Sequence, residues 1–231
     1  MVEKMELQAI LFDLDETLLD RASSLDQYMR DQYKRYEKLW GHVGVERFCE
    51  RFEELDGRGY VSKRIVYRSI FEEFGGEGLT EDMMLAEFRR LFCRFVNPFE
   101  GVREVLTELR RRGFKLGVIT NGETEFQQRN MEVLGIPEWV DTILISQKEG
   151  LRKPDGAIFR LACKRLGVAP EACLFIGDNP RNDIGGAKSV GMKTGWFTGS
   201  GMEWPEDLTE RADHEVERLV EILELGYLPA I

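Results

Sequence analysis

Five short apolar segments, separated by segments of helical periodicity, constrain the fold of this chain more than any other feature of its sequence. They are Ala9–Leu14, Lys115–Thr120, Thr142–Ser146, Cys173–Gly177 and Lys193–Phe197. Each is nearly continuous in apolar residues rather than alternating, which is typical of strands buried on both faces of a parallel sheet. A sixth, short strand is predicted near Asp213–Val216, followed by a terminal helix through about Leu225.

Helical segments fill the gaps between these strands, and each is followed by a glycine suited to a helix C-terminus. They are Val102–Arg112, Thr124–Leu134, Gly156–Leu166 and Asp183–Val190. The alternation predicts an α/β fold with a doubly wound, Rossmann-like parallel sheet. It is interrupted between residues 20 and 97, where four long amphipathic segments and no convincing strand predict a helical insertion: Leu25–Trp40, Val45–Leu55, Ser62–Phe74 and Glu81–Phe95. We therefore expect an α/β core of residues 1–19 and 98–231 and a helical domain of residues 20–97.

Charge and composition exclude several classes of protein. With 32 Lys and Arg against 42 Asp and Glu, the net charge of −10 argues against a nucleic-acid polymer or an anionic membrane as partner. No uncharged apolar run approaches the roughly 18 residues that a membrane span needs, and the mixed-charge N-terminus does not resemble a signal peptide. The four cysteines form no C-x-x-C pair, so we expect buried thiols and a cytoplasmic location rather than a zinc site or disulfides.

The most informative polar residues follow the predicted strands, at the sheet edge where open parallel sheets bind ligands. Asp13 and Asp15 come at the end of the first strand and Asp178 follows the fourth. An extended backbone would point Asp13 and Asp15 to the same side of the sheet. Three carboxylates this close would repel one another unless a cation lay between them. The pattern favours Mg²⁺, which takes carboxylates, waters and a substrate phosphate oxygen, although aspartates also commonly stabilise turns.

Other residues at the same edge are suited to holding a phosphate. Thr120 offers a hydroxyl, while Asn121 and Gly122 offer backbone N–H groups at a strand-to-helix turn. Lys153, in the loop after the third strand, adds a positive charge. Asp183 either orients metal-bound waters or Lys153, or stabilises the first turn of a helix, and the sequence alone leaves both interpretations open.

Together these signals resemble the four motifs of the haloacid dehalogenase-like hydrolase superfamily. The similarity spans residues 9 to about 190, and the helical insertion resembles the family's cap domain. The motifs are Asp13-Leu14-Asp15-Glu16-Thr17-Leu18, Thr120-Asn121-Gly122, Lys153 in Arg152-Lys153-Pro154-Asp155, and Gly177-Asp178 with Asp183.

The resemblance implies covalent phosphoryl transfer. Asp13 would be the nucleophile that forms an aspartyl-phosphate. Asp15 would protonate the leaving alcohol and then deprotonate the water that hydrolyses the intermediate. The cofactor would be Mg²⁺, held by the side chain of Asp13, the backbone carbonyl of Asp15 and Asp178.

The remaining matched residues would serve the same reaction. Thr120, Asn121 and Lys153 would bind the transferring phosphoryl group. Asp183 would contact either a water bound to the metal or one of the residues that hold the metal and the phosphoryl group. The implied activity is hydrolysis of a small phosphomonoester, of the nucleotide or sugar phosphate class. The sequence does not define the substrate or the oligomeric state.

Three alternatives remain at this point. A haloacid dehalogenase is disfavoured because the dehalogenases of this superfamily lack an aspartate at the position of Asp15. A phosphosugar mutase would use the same residues. A non-catalytic binding protein of the same fold would be expected to have lost some of these residues, whereas all of them are present.

Overall fold

The computed structural model describes residues 6–226 of the 231-residue chain. Its contacts divide the protein into two compact units. One, the core unit, consists of the residues up to Asp20 and from Pro98 onward, and the other, the helical unit, is Arg21–Asn97. Within the described residues, no helix combines the length and the apolar content needed to cross a membrane.

The strands of the described chain are short. They are β1 (Ala9–Phe12), β2 (Leu19–Asp20), β3 (Asn97–Pro98), β4 (Lys115–Thr120), β5 (Thr142–Ile145), β6 (Cys173–Gly177), β7 (Lys193–Phe197) and β8 (His214–Val216), and of these β1 and β6 are completely buried. Six of them form a sheet in the order β5-β4-β1-β6-β7-β8, in which every pairing is parallel. The predicted doubly wound, Rossmann-like α/β fold is therefore confirmed.

The position of β1 in this sheet determines where a ligand can bind. Its last residue, Phe12, pairs with Val118 of β4 on one side and Ile176 of β6 on the other. The chain winds outward in both directions from this point, so the strand order reverses beside β1. A crevice at the carboxyl ends of the strands is the usual consequence of such a reversal.

The helices of the described chain are α1 (Arg21–Arg35), α2 (Glu37–Trp40), α3 (Val45–Asp56), α4 (Lys63–Phe74), α5 (Glu81–Leu91), α6 (Val102–Arg111), α7 (Thr124–Val133), α8 (Ser146–Glu149), α9 (Gly156–Leu166) and α10 (Gly186–Lys188). All of them except the four-residue α8 contain buried side chains. Short 3₁₀ segments occur at Gly57–Gly59, Phe92–Arg94, Ile136–Glu138, Pro170–Ala172, Thr198–Ser200 and Leu219–Glu224, and a π-helical turn at Pro180–Gly185.

Helix α9 shows how local signals fix an element of the core unit. The Asp155 side chain accepts a hydrogen bond from the N–H of Ala157 and caps the N-terminus. Gly167 ends the helix in the left-handed conformation, with φ at +65°. Between these ends, Phe159 packs edge-on against Phe175 of β6 with ring centroids 5.1 Å apart. Burial of aromatic side chains of this kind is the main stabilising contribution to such a core.

The helical unit has its own aromatic core. Trp40 stacks on Phe48 with ring centroids 4.6 Å apart, and Tyr28 packs edge-on against Phe88 at 5.2 Å. Asp56 is also buried, and its carboxylate pairs with the guanidinium of Arg21 and the ammonium of Lys63. The aromatic residues named here pack within the unit and form part of its core.

The structure differs from the sequence predictions at several boundaries. The first strand ends at Phe12 rather than Leu14, and the predicted helix Leu25–Trp40 is two helices, α1 and α2. The predicted helix Asp183–Val190 is instead a π-helical turn followed by the short α10, and the predicted terminal helix is a 3₁₀ segment. The two-residue strands β2 and β3 were not predicted, because two residues are too few to show a periodic pattern.

Candidate active site

The polar residues predicted to form a site do gather at the carboxyl edge of the sheet. Asp13 directly follows β1, Thr120 is the last residue of β4, and Asp178 directly follows β6. The apolar side chains of these strands are buried in the core and fix the strands in place. The position of each strand therefore fixes the position of the polar residue at its end. Lys153 comes from the loop between α8 and α9, and Asp183 from the π-helical turn.

Lys153 joins two carboxylates at the centre of this cluster. Its ammonium nitrogen lies 2.6 Å from Oδ1 of Asp13 and 2.6 Å from Oδ1 of Asp183. The lysine is only 2% exposed and Asp183 is fully buried. Charge-assisted contacts of this length in a buried setting fix the positions of all three groups.

A third carboxylate makes the cluster acidic overall. Oxygen atoms of Asp13, Asp178 and Asp183 all lie within 4.8 Å of one another. Burial, followed by repulsion from Asp183, raises the pKa of Asp13 to about 8 in spite of the attraction of Lys153. Burial alone would lower the pKa of Lys153, but the charges of Asp13 and Asp183 outweigh it and raise that pKa above its usual range.

These groups fit a hard divalent cation. Three carboxylates outnumber the single ammonium, that of Lys153, in this cluster. All the available ligand atoms are oxygens, the set that Mg²⁺ prefers. Of the three carboxylates predicted to converge, Asp13 and Asp178 lie in this cluster, and its third member is Asp183 rather than Asp15.

Asp15 is not one of the three carboxylates that lie within 4.8 Å of one another, and the chain turns at Leu14, just before it. The carbonyl oxygen of Leu14 accepts hydrogen bonds from the N–H groups of Thr17, Leu18 and Leu19 at 3.3, 2.9 and 2.8 Å. The extended geometry assumed for both residues therefore does not continue through Asp15, because the first strand stops at Phe12 and a turn begins at Leu14. The turn gives the two carboxylates different surroundings, as distinct chemical roles require.

The surroundings of Asp15 include a residue that the sequence analysis did not identify. The side-chain nitrogen of Gln127, on α7, lies 2.6 Å from Oδ2 of Asp15 and 2.9 Å from Oγ1 of Thr120. Gln127 belongs to no recognised motif. Its only signal in the sequence is a polar residue four positions before Met131 on the buried face of α7.

The residues after β4 differ from the prediction in detail. The Asn121 side chain accepts a hydrogen bond from the backbone N–H of Lys153 at 2.9 Å and donates one to its carbonyl at 3.0 Å. Asn121 therefore holds the loop that carries the lysine. The N–H of Gly122 donates to Oγ of Ser146 at 2.9 Å, so the expectation that it would hold a phosphate is wrong.

The π-helical turn after β6 places Asp183 beside Lys153. Oδ2 of Asp183 accepts a hydrogen bond from the N–H of Asn179 at 2.9 Å, while Oδ1 faces the lysine. Of the two interpretations left open by the sequence, the structure favours orientation of Lys153. Trp196, also not predicted, donates from its indole nitrogen to the carbonyl of Asp178 at 2.8 Å and fixes the backbone of that carboxylate.

Comparison with known proteins agrees with this geometry. The sequence model of the haloacid dehalogenase-like hydrolases matches residues 7–191. The glyceraldehyde 3-phosphate phosphatase of Pyrococcus abyssi is 37% identical over 95% of this chain and 93% of that protein. The phosphoserine phosphatase of Thermus thermophilus is 28% identical over 94% and 98%. Among solved structures, the HAD phosphatase from Thermococcus onnurineus is 25% identical with a TM-score of 0.66, covering 97% of this chain and 100% of that chain.

The chain belongs to the haloacid dehalogenase-like hydrolase family. The expectation of a phosphatase of this family, drawn from the four motifs, is confirmed by relatives that match it over nearly their whole length. The protein is an enzyme of the phosphatase class, and its core unit carries the residues that the family motifs specify.

Proposed function

We propose that this enzyme hydrolyses a small phosphomonoester with Mg²⁺ as cofactor, through an aspartyl-phosphate on Asp13. The observation that carries the proposal is the buried contact of Lys153 with Asp13 and Asp183 at 2.6 Å, beside a separately held Asp15. One carboxylate in this arrangement is oriented as a nucleophile, while the other is available for proton transfer.

In the first chemical step, a carboxylate oxygen of Asp13 forms a bond to phosphorus and the bond from phosphorus to the alcohol oxygen of the substrate breaks. Oδ1 of Asp13 accepts from the N–H of Leu14 at 2.7 Å and contacts Lys153 at 2.6 Å. Because both donors meet Oδ1, we assign Oδ2 as the oxygen that attacks phosphorus. Asp15 gives a proton to the departing oxygen, which leaves as an alcohol. In the second step Asp15 takes a proton from water, whose oxygen then attacks the phosphorus and regenerates Asp13 with release of inorganic phosphate.

The phosphoryl group carries negative charge throughout both steps, and nearby donors stabilise it. Lys153 supplies a full positive charge, Thr120 a hydroxyl, and Asn121 holds the lysine loop in place. Asp13, Asp178 and the backbone carbonyl of Asp15 would hold Mg²⁺, with Asp183 close by. When bound, the ion would neutralise carboxylate and phosphate charge and orient the phosphoryl group.

We propose further that the helical unit, Arg21–Asn97, acts as a cap domain and determines the leaving group. The core unit supplies groups suited to phosphoryl transfer from any phosphomonoester, so discrimination between alcohols must come from other residues. The named relatives act on glyceraldehyde 3-phosphate and phosphoserine, both small phosphomonoesters. This supports a small phosphometabolite, of the sugar phosphate or nucleotide class, as the substrate here.

All four cysteines are free thiols, which supports a reducing, cytoplasmic location.

A screen of small phosphomonoesters with Mg²⁺, scored by release of inorganic phosphate, tests this proposal. Net release from at least one class of phosphometabolite is the expected result. Turnover that requires a sugar bisphosphate, without net release, would indicate a mutase instead. Release of halide from a 2-haloacid would indicate a dehalogenase, and no turnover of any compound would indicate a binding protein.

A further inference from the structure

The side chain of Gln127 makes two short hydrogen bonds at the site and has no assigned role. Its Nε2 lies 2.6 Å from Oδ2 of Asp15 and 2.9 Å from Oγ1 of Thr120, and the residue is only 2% exposed. One primary amide carries two hydrogens, so these two contacts use its full donor capacity. Gln127 therefore connects the proposed acid and base to a proposed phosphate ligand.

The orientation of the amide is determined by its neighbours. The nitrogen of the amide faces Asp15 and donates to its Oδ2, while the other carboxyl oxygen stays available for the proton that the reaction transfers. The oxygen then faces Asn130, whose side-chain nitrogen donates to it at 3.4 Å. The reverse orientation would place two oxygens together at Asp15 and two nitrogens together at Asn130.

The absence of a side chain at Gly122 leaves room for the side chain of Gln127. A Cβ atom at Gly122 would lie 2.8 Å from Cγ and 2.9 Å from Nε2 of Gln127, so only glycine leaves the necessary space. The start of α7 is fixed by the N–H of Thr124, which donates to Oε1 of Gln147 at 2.7 Å. Gln127 is thus held on a rigid element, whereas Asp15 lies in a loop.

The contact with Thr120 also has a consequence for the phosphate site. Oγ1 of Thr120 accepts a hydrogen from Gln127. Its own hydroxyl hydrogen must then point elsewhere, and it can donate to a phosphoryl oxygen. The same amide therefore orients one proton donor for the phosphoryl group and holds the carboxylate that handles the leaving group.

We propose that Gln127 is a positioning residue that holds the Asp15 carboxylate in line for proton transfer to the leaving alcohol. The inference rests on the proposed function, because it needs Asp15 to be the general acid. Misplacing a catalytic group by about 1 Å can cost about 10²-fold in rate, so the loss of this hydrogen bond should be large enough to measure.

The test compares Gln127→Met, Asp15→Asn and the double variant on an alkyl and an aryl phosphate. The parameter is kcat/KM, which reports the steps up to release of the alcohol and is unaffected by later hydrolysis of the phosphoenzyme. An aryl leaving group needs little protonation, so positioning of the acid should matter little for it. Gln127→Met should lower kcat/KM by about 10- to 100-fold on the alkyl ester and by only a few-fold on the aryl ester. In the Asp15→Asn background the same change should lower kcat/KM on the alkyl ester by no more than the few-fold loss expected on the aryl ester, which reflects the contact with Thr120.

Gln128→Met is the matched control, because it is the same change at the next position of α7 and should leave both rates unchanged. Gln127→Glu preserves the shape of the side chain if the methionine variant does not fold, and it replaces the donor with a carboxylate that repels Asp15. It should lose at least as much on the alkyl ester.

Two results would overturn the inference alone. One is an equal loss on the two esters in the Gln127 variants, and the other is a full additional loss in the Asp15→Asn background. An Asp15→Asn enzyme that keeps the wild-type preference between the esters would contradict the role of Asp15 itself, and with it the proposed function. The single Asp15→Asn measurement therefore separates the two failures.

Discussion

The ammonium of Lys153 lies 2.6 Å from Oδ1 of Asp13, so the proposed nucleophile is paired with a buried positive charge. The lysine is in turn held by Asp183 through its side chain and by Asn121 through its backbone. Lys153 thus connects β1, β4 and the turn after β6. A single substitution there should disturb the orientation of the nucleophile and the charge of the site together.

Replacement of Lys153 by methionine should lower kcat by about 10²- to 10³-fold, the range observed when one donor to a charged transition state is removed. Steady-state kinetics on a single good substrate gives this value. Lys148→Met, an exposed lysine on α8, is the control and should leave kcat unchanged. A Lys153→Met enzyme within a few-fold of the wild type would contradict the proposed contact with the phosphoryl group.

Activity should require a divalent cation. Excess EDTA should abolish turnover and added Mg²⁺ should restore it, because the carboxylates of Asp13, Asp178 and Asp183 crowd together with Lys153 as the nearby compensating charge. Asp178→Asn should raise the Mg²⁺ concentration needed for half-maximal activity by at least about tenfold. Asp155→Asn is the control, since asparagine caps a helix as well as aspartate does. Full turnover in EDTA would rule out the metal assignment.

Five strands of the parallel sheet could be predicted from the sequence because each is an almost continuous apolar run, a pattern typical of strands buried on both faces. Asp13, Thr120 and Asp178 could be placed at one edge for the same reason, since each is the polar residue at or just after the end of a run. The sequence could not show that the chain turns at Leu14, because the turn depends on three hydrogen bonds to one carbonyl. The different hydrogen-bond partners of Asp13 and Asp15 go with that turn.

Gln127 and Trp196 could not be found in this way. Each acts through a contact with a residue distant in sequence, Gln127 with Asp15 and Trp196 with the carbonyl of Asp178. A lone polar residue on a helix carries no periodic or spacing signal that separates it from an ordinary core position. The packing of α7 and β7 in the folded core brings Gln127 within hydrogen-bonding distance of Asp15 and Trp196 within hydrogen-bonding distance of Asp178.

Asp56 should stabilise the helical unit in a pH-dependent way. Burial would raise its pKa, but the charges of Arg21 and Lys63 outweigh burial and lower the pKa below its usual value. A lowered folded-state pKa gives stability that is present above the unfolded pKa of about 3.9 and is lost as pH falls through the folded value. Asp56→Ala should therefore lower the free energy of unfolding by about 3 kcal/mol at pH 7, and the difference from the wild type should shrink below about pH 4.

Urea unfolding at several pH values, followed by circular dichroism, measures this difference. Asp26→Ala is the control, because the ion pair of Asp26 with Arg30 is half exposed and should contribute little. Equal effects of the two substitutions at pH 7, or a difference for Asp56→Ala that persists unchanged at pH 3, would contradict the account of the buried cluster.

Substrate preference should reside in the helical unit. Residues 21–97, transplanted into a related phosphatase of this family, should carry the substrate profile of this enzyme into the hybrid. Hydrolysis of an activated aryl phosphate with Mg²⁺ is the control, since it shows that the core of the hybrid still functions. A hybrid that passes this control and keeps its original preferences would place specificity elsewhere.

Trapping of the phosphorylated protein tests the central claim most directly. In a rapid-quench experiment with a ³²P-labelled aryl phosphate, the wild type and Asp15→Asn should acquire label on the peptide that contains Asp13. Asp15→Asn keeps its nucleophile and should hold the label longer, because it lacks the base that activates water. Asp13→Asn should acquire none, because a neutral amide is a poor nucleophile. Label on Asp13→Asn, or turnover of the wild type with no labelled protein at any time, would contradict the aspartyl-phosphate mechanism.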